Sequence, residues 1–310
     1  MPENKLFPPE GLWAMPEFSL RFLKEAQETA AVLEAIPLRC DTHQTLHFSL
    51  NGIPAQMPRE KAIAPWISGS NKPLSLITKV GKPTCFTVES IHSDEKGAPL
   101  ICLNRRIVQE NAMDWFLEHL QPGMVLTCCV THLESFGAFL DIGCGVIAML
   151  PIEHISVARI SHPKDRFYAG EKILAAVLSV DRKKRRITMT HRELLGTWME
   201  NASYFRPGET VRGIVRSVQS YGSFVELTPN LSGLTDVHDQ INPGDSVSVF
   251  IKSMDPSRMK IKLQLIERLT VPLKPEPPQY RVTDGILSHW VYSPAGCSKV
   301  VETIFTETCP

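Results

Sequence analysis

The stretch "FGAFLDIG", Phe136 to Gly143, decides how this chain is read. Its second half alternates, with Leu140 and Ile142 on one face and Phe139 and Asp141 on the other. That is the period of a β-strand with one dry side. The other side then carries a ring, and a second ring, Phe136, stands just ahead of a glycine. The chain repeats the arrangement from Tyr221 with "YGSFVEL", where Val225 and Leu227 read inward and Phe224 and Glu226 outward. Rings written twice onto a solvent face need a use.

The repetition extends well beyond the motif. "LQPGMVLTCCVTHLES" from Leu120 matches "FRPGETVRGIVRSVQS" from Phe205, each a Pro-Gly break followed by a β-branched run. "YAGEKILAAVLSVDRKKRRITMTHR" from Tyr168 matches "INPGDSVSVFIKSMDPSRMKIKLQL" from Ile241, each a strand, a polar turn and a returning strand. A fainter copy, "LHFSLNGIPAQMPREKAI" at 46–63 and "KVGKPTCFTVESIHSDEKGAPLICLNRR" at 79–106, precedes them. It lacks the paired rings, carries the turn "HSDEKGAP", and holds an insertion, "APWISGSNKPLS", between its halves.

Each unit supplies five short strands, which suit a small closed barrel of the OB type, free of sheet edges. The expected fold is therefore all-β: three tandem OB-fold, five-stranded barrels, the first degenerate, joined by short helices. Its parts read as an N-terminal helical segment at 1–36, barrels at 37–110, 121–195 and 206–269, and a proline-rich linker with a tail at 270–310. Phe22, Ala26, Ala30 and Leu33 recur at helical spacing in the first part. Val108, Ala112 and Trp115 share a face in the first connector, and Leu194, Leu195, Trp198 and Met199 in the second. "VPLKPEPPQ" at 271–279 reads as a stiff linker, and the tail after it is too short to form a core alone.

Thirty-three basic residues cancel thirty-three acidic ones, so overall charge is silent about partners. The run "DRKKRR" at 181–186 makes the middle of the chain its basic section. Nothing approaches the ~18 consecutive apolar residues of a membrane helix, and the start lacks a signal-peptide layout. The expectation is a cytoplasmic protein with no membrane contact. The eight cysteines show no CxxC spacing and read as buried reduced thiols. Cys40, His43 and His47 stand at C-x2-H-x3-H without a second ligand pair, so no metal is expected. No P-loop, GxSxG or HExxH occurs, and the segments outside the barrels are too short for a catalytic body. Neither an enzyme nor a cofactor is expected.

Exposed rings on a barrel strand form a stacking platform, worth ~1–3 kcal/mol per nucleobase and indifferent to sequence. Their other use is contact with a neighbouring domain. Arg182, Lys183, Lys184, Arg185 and Arg186 offer phosphate partners beside the second unit's rings. The third unit offers Arg258, Lys260 and Lys262, with Arg212 and Arg216 on one face of its first strand.

Taken together, "FGAFLDIG", "LPIEHIS" and the late hairpin resemble the S1 RNA-binding domain. The tandem order is similar to that of the ribosomal protein S1 family and its shorter bacterial members. The third unit matches well, the first is degenerate, and residues 1–30 and 271–310 lie outside the resemblance. It implies RNA-facing residues at Phe136, Phe139 and His154, with Asp181 and Arg185 or Arg186 in the hairpin. In the third unit it implies Tyr221, Phe224, Asp255 and Arg258, while Asp236 stands where the second has His154, implying weaker binding. The implied partner is single-stranded RNA, mRNA above all, with the small ribosomal subunit. A protein-interaction or regulatory module in RNA turnover or transcription, with RNA binding secondary, is the other reading.

Overall fold

The computed structural model describes residues 6–14, 16–64, 74–93, 97–238, 241–273 and 277–306. Most of the "APWISGSNKPLS" insertion, the centre of the "HSDEKGAP" turn, the middle of the proline-rich linker and Cys309 lie outside the described residues. The chain is mostly strand with few helices, and forms two closed five-stranded barrels and a third, broken sheet.

The first unit opens with α1 (Leu20–Glu28), which Ser19 caps by accepting from the Phe22 N–H. Its apolar face buries Leu23 and Ala26. The helix stops short of the expected Leu33, because Ala30 takes a left-handed φ of 50° and turns the chain into strand. The sheet consists of β1 (Leu33–Ala35), β2 (Arg39–Cys40), β3 (Leu46–Leu50), β4 (Ile53–Met57), β5 (Thr84–Ser93) and β6 (Pro99–Asn104), ordered β1-β5-β6-β4-β3-β2. Its two ends, β1 and β2, are consecutive in the chain. They are the halves of one strand split at Pro37, which has no N–H for a ladder. The expected barrel boundary at 37 therefore falls inside that broken strand, and five strands become six. Two single turns, α2 (Arg59–Ala62) and α3 (Leu74–Ile77), lie between β4 and β5.

The connector α4 (Arg106–His119) buries Val108, Ala112 and Phe116. Trp115, one residue off that stripe, is only partly covered and stacks on His119 at 4.6 Å. The second unit is built of β7 (Val125–Glu134), β8 (Gly137–Gly143), β9 (Val146–Pro151), β10 (Lys172–Asp181) and β11 (Arg186–Thr190). They close in the order β10-β11-β9-β8-β7, with β7 pairing β10 along Val125↔Ala176 to Cys129↔Lys172. Leu140 and Ile142 are fully buried inside, each contributing roughly 1.5–3 kcal/mol. After the short helix α5 (Trp198–Ala202), the third unit repeats the course. Its strands are β12 (Thr210–Gln219), β13 (Gly222–Thr228), β14 (Leu231–Thr235), β15 (Ser246–Asp255) and β16 (Lys260–Arg268).

The C-terminal segment ends in β17 (His289–Val291) and β18 (Glu302–Ile304), a two-stranded hairpin. The hairpin has no core of its own, as its length requires, and shares one with both barrels. Trp290, Tyr292 and Phe305 pack with Trp198 and Leu194 and with Val125 and Ala176 from the outside of the second barrel. Met199, expected on that face, is half exposed. Backbone bonds stitch the segment down: Val125 N–H to Gly285 O, Arg281 N–H to Leu194 O, and Trp198 N–H to Tyr292 O. The described cysteines are free thiols. His47 Nε2 lies 2.7 Å from Asp41 Oδ2, and among the described residues no group of His, Cys, Asp and Glu is arranged to hold a metal ion. No described helix is long and apolar enough to cross a membrane.

Two outward acids are corrected by this assembly. Asp141 does leave the barrel interior, yet it is 2% exposed. It accepts from the N–H groups of Glu10, Gly143 and Gly145, with the N-terminal segment laid over it. Glu226 is likewise buried, under Arg166 from the second barrel.

Candidate nucleic-acid interface

β7 and β8 are joined by a two-residue turn, Ser135–Phe136, that places Phe136 at the lip of the barrel, 52% exposed. Phe139, half-buried, follows on the outer face. The rings meet edge to face, with centroids 6.0 Å apart and planes at 89°. In the third barrel Tyr221 is 64% exposed, and it meets Phe224 at 6.3 Å and 89°. The two pairs thus share one geometry.

The intervening glycines serve packing as well as turning. A Cβ at Gly137 would stand 2.5 Å from Leu150 O, and one at Gly222 2.3 Å from Thr235 O. Only glycine lets the neighbouring strand close so tightly.

Register extends each ring pair into a row across the sheet. Phe139 pairs with His132 on one side and Met149 on the other, and Met149 pairs with Thr188. Phe224 pairs with Ser217 and Leu234, and Leu234 with Lys262. His132 was missed by sequence reasoning. Its exposed ring lies 6.2 Å from that of Phe139, and its Nε2 2.6 Å from Glu134 Oε1. A two-residue turn pairs Glu134 with Gly137, so counting back to the partner of Phe139 finds it.

His154 follows β9, one turn beyond Ile152, whose N–H donates to Phe136 O. It is half-buried, with Nδ1 3.3 Å from Thr190 Oγ1. Burial, with Arg192 nearby, pushes its pKa below the ordinary histidine value and favours the neutral ring. Asp181 shapes the hairpin turn by accepting from the Lys184 N–H, which lowers its pKa. The basic run divides in two. Arg182 Nε donates to Leu117 O and Arg185 pairs with Asp114 at 2.7 Å, so both brace the hairpin against α4. Lys183, Lys184 and Arg186 are exposed. Arg186 lies two residues before Thr188 on the same face, about 7 Å along the strand from the ring row.

In the third barrel Arg258 and Lys260 are exposed. Arg258 is 3.9 Å from Asp255, whose carboxyl a Ser257 hydroxyl bond holds below its ordinary range. Asp236 is exposed beside Lys252 at 3.4 Å, which blunts its charge. Arg212 is exposed, but Arg216 is not available to an open face. It sits at the bulge between Val215 and Ser217, 8% exposed, on Glu226 at 2.6 Å and Asp165 at 3.5 Å. A bulge re-aims its side chain, and here it aims the guanidinium into the seam between the barrels.

A barrel of this topology bearing rings on β8 has a counterpart among known domains. Residues 119–192 match the family model of the S1 RNA binding domain. The chain carries an S1 domain. Likeness to known proteins runs further than that domain. The small ribosomal subunit protein bS1 of Chlamydia muridarum is 29% identical over 217 residues, covering 66% of this chain and 37% of the relative. The bS1 homolog of Bacillus subtilis is 29% identical over 216 residues, covering 65% of this chain and 56% of the relative. The chain thus spans well under half the length of the first relative and little more than half that of the second. A multidomain protein with nucleic acid binding domains from Streptococcus pneumoniae aligns over 79% of this chain and 76% of its own, at 14% identity and a TM-score of 0.26.

Proposed function

We propose that this chain is a non-catalytic RNA-binding protein that holds single-stranded RNA, mRNA above all, during translation on the small ribosomal subunit in the cytoplasm. The observation that carries the reading is the repeated ring pair. Phe136 with Phe139, and Tyr221 with Phe224, stand edge to face on matching strands of two barrels, one of them the S1 domain. Bases stack on those rings while Lys183, Lys184 and Arg186 follow the phosphates of the S1 barrel, and Lys260 and Arg258 those of the third. His154 and His132 border the rings with planar edges, and burial keeps His154 on the neutral side. The relatives named for the small ribosomal subunit support the translational setting.

The test is a titration of fluorescent single-stranded RNA against the chain and a Phe136→Ala/Phe139→Ala variant. At ~1–3 kcal/mol per stacked base, the double change weakens binding at least about tenfold. Unchanged affinity in a folded variant sinks the stacking assignment. Co-sedimentation with small subunits tests the ribosomal setting separately.

One observation favours the interaction-module reading for the first unit alone. Among its described residues no ring pair stands at the positions of Phe136 and Phe139, the Phe48–Phe86 pair being buried in its core. Its broken strand leaves Ile36 42% and Leu38 65% exposed, apolar surface of the kind protein partners cover.

A further inference from the structure

The seam between the second and third barrels encloses a cleft of about 420 Å³ against the outer face of β12 and β13. That volume lies in the range of small-molecule sites. Its polar lining is dominated by four guanidiniums, those of Arg166, Arg212, Arg216 and Arg281. Among the described residues, Glu226 in the lining and Asp165 behind Arg216 are the acids that oppose them.

Arg166 is the telling member. Its side chain is 5% exposed, and one terminal nitrogen is committed to Glu226 at 2.5 Å. Its Nε–H is buried and meets no acceptor. A buried donor left unmade is a standing cost, which an incoming oxyanion recovers. Arg212 is exposed at the same cleft. Across from it, Arg281 lies over the Tyr204 ring at 5.2 Å and bonds its hydroxyl, a flat surface that suits a planar group. The remaining walls are largely apolar, as with Val211, Leu227 and Leu273.

We propose that this cleft binds a nucleoside 5′-phosphate, with the phosphate on Arg166 and Arg212 and the base against Tyr204 and Arg281. The group comes either from a free nucleotide or from the 5′-phosphorylated end of an RNA. The second source rests on the RNA-binding reading. Phe224 and Glu226 are two residues apart on one face of β13, about 7 Å, so a strand stacked on the third barrel's rings ends at the mouth of the cleft.

Calorimetric titration of the full chain with nucleoside 5′-monophosphates and with unphosphorylated nucleosides tests the site. The monophosphates bind and the nucleosides do not. Arg212→Gln and Tyr204→Ala, both at exposed positions, each weaken binding about tenfold or more. A second arm compares 5′-phosphorylated with 5′-hydroxyl RNA. If the phosphate tightens RNA binding in the parent chain and not in Arg212→Gln, the RNA end is the occupant. If only monophosphates respond, the free nucleotide is. Changing Phe136, Phe139, Tyr221 and Phe224 to alanine leaves monophosphate binding intact, so loss of RNA binding there judges the stacking platform alone. No saturable monophosphate binding up to about 1 mM with no 5′-phosphate effect overturns the site, as does equal binding by a folded Arg212→Gln.

Discussion

Asp141 and Glu226 occupy the same place in their repeats, and each is met by the unit before it. Asp141 takes the backbone of Glu10 from the N-terminal segment, and Glu226 takes Arg166 from the second barrel. Around Asp141 the charges are crowded. Burial pushes Glu10 up, but Arg105 and Lys79, each 2.7 Å away, outweigh it and hold Glu10 well below the carboxylate range. Glu34, 1% exposed, goes the other way: burial lifts its pKa to about 7, although the Gly11 N–H donates to it at 2.6 Å. A carboxyl raised in the fold binds its proton more tightly than in the unfolded chain. Its stabilising contribution is therefore complete below about 4.5 and lost as pH rises toward 7, at a slope on the order of 1 kcal/mol per pH unit. Glu34→Gln removes that slope, so urea midpoints of the variant fall less than those of the parent between those pH values. Parallel pH profiles would count against the buried, protonated Glu34. The sequence marked Asp141 and Glu226 as outward through simple alternation. Their burial was illegible there, because the covering groups come from distant segments. Phe136, Phe139, Tyr221 and Phe224 were legible for the opposite reason, since nothing distant covers the rings' exposed edges.

At the scale of elements, the strands and turns of both closed barrels followed from period-two alternation and Pro-Gly breaks, all of them local signals. Two elements did not follow. Pro37 splits the first strand, an effect visible only once the partners on either side, β5 and β3, are known. The C-terminal segment reads as a tail because its apolar residues are few, whereas their burial is shared with two other units. Trp290 and Tyr292 are 6% and 5% exposed, and the Tyr292 hydroxyl donates to Asn230 O at 2.5 Å. The Asn230 side chain in turn accepts from the Val157 N–H and donates to Arg192 O and Gly196 O, so the tail, the connector and both barrels meet at one residue. Trp290→Ala deletes the largest of these contacts, at about 3–5 kcal/mol if the site does not collapse. The barrels have their own closed ladders and survive the change. The expected result is faster proteolysis after residue 277 and faster amide exchange at Val125 and Trp198, while amides inside β8 and β13 keep their protection. Uniform loss of protection would show instead that the tail is part of one cooperative core.

For the whole molecule, a net charge of zero conceals a division of labour among its bases. Arg166 and Arg216 sit in the seam between the barrels, Arg105 holds Glu10 of the N-terminal segment, and Arg182 and Arg185 brace a hairpin. Apart from the Arg166 Nε–H at the cleft, each is committed to a protein acceptor, so counting bases along the chain overstates what an RNA meets. What remains beside the S1 barrel's rings is Lys183, Arg186 and Lys184, the last held only loosely by Asp181 at 3.7 Å on an exposed turn. For single strands, the logarithm of affinity falls against the logarithm of salt with a slope of about −0.7 per neutralised phosphate. Replacing these three together by glutamine therefore shallows the slope by about 2, whereas Phe136→Ala/Phe139→Ala lowers affinity at every salt concentration and leaves the slope alone. Replacing Arg182 and Arg185 changes hairpin stability more than salt response, because their partners, Leu117 O and Asp114, are lost instead of phosphates. RNA titrations at four salt concentrations separate the three outcomes. If the triple variant keeps the parent slope, the phosphates run elsewhere, and the other exposed basic face, around Arg258 and Lys260 of the third barrel, takes over as their path.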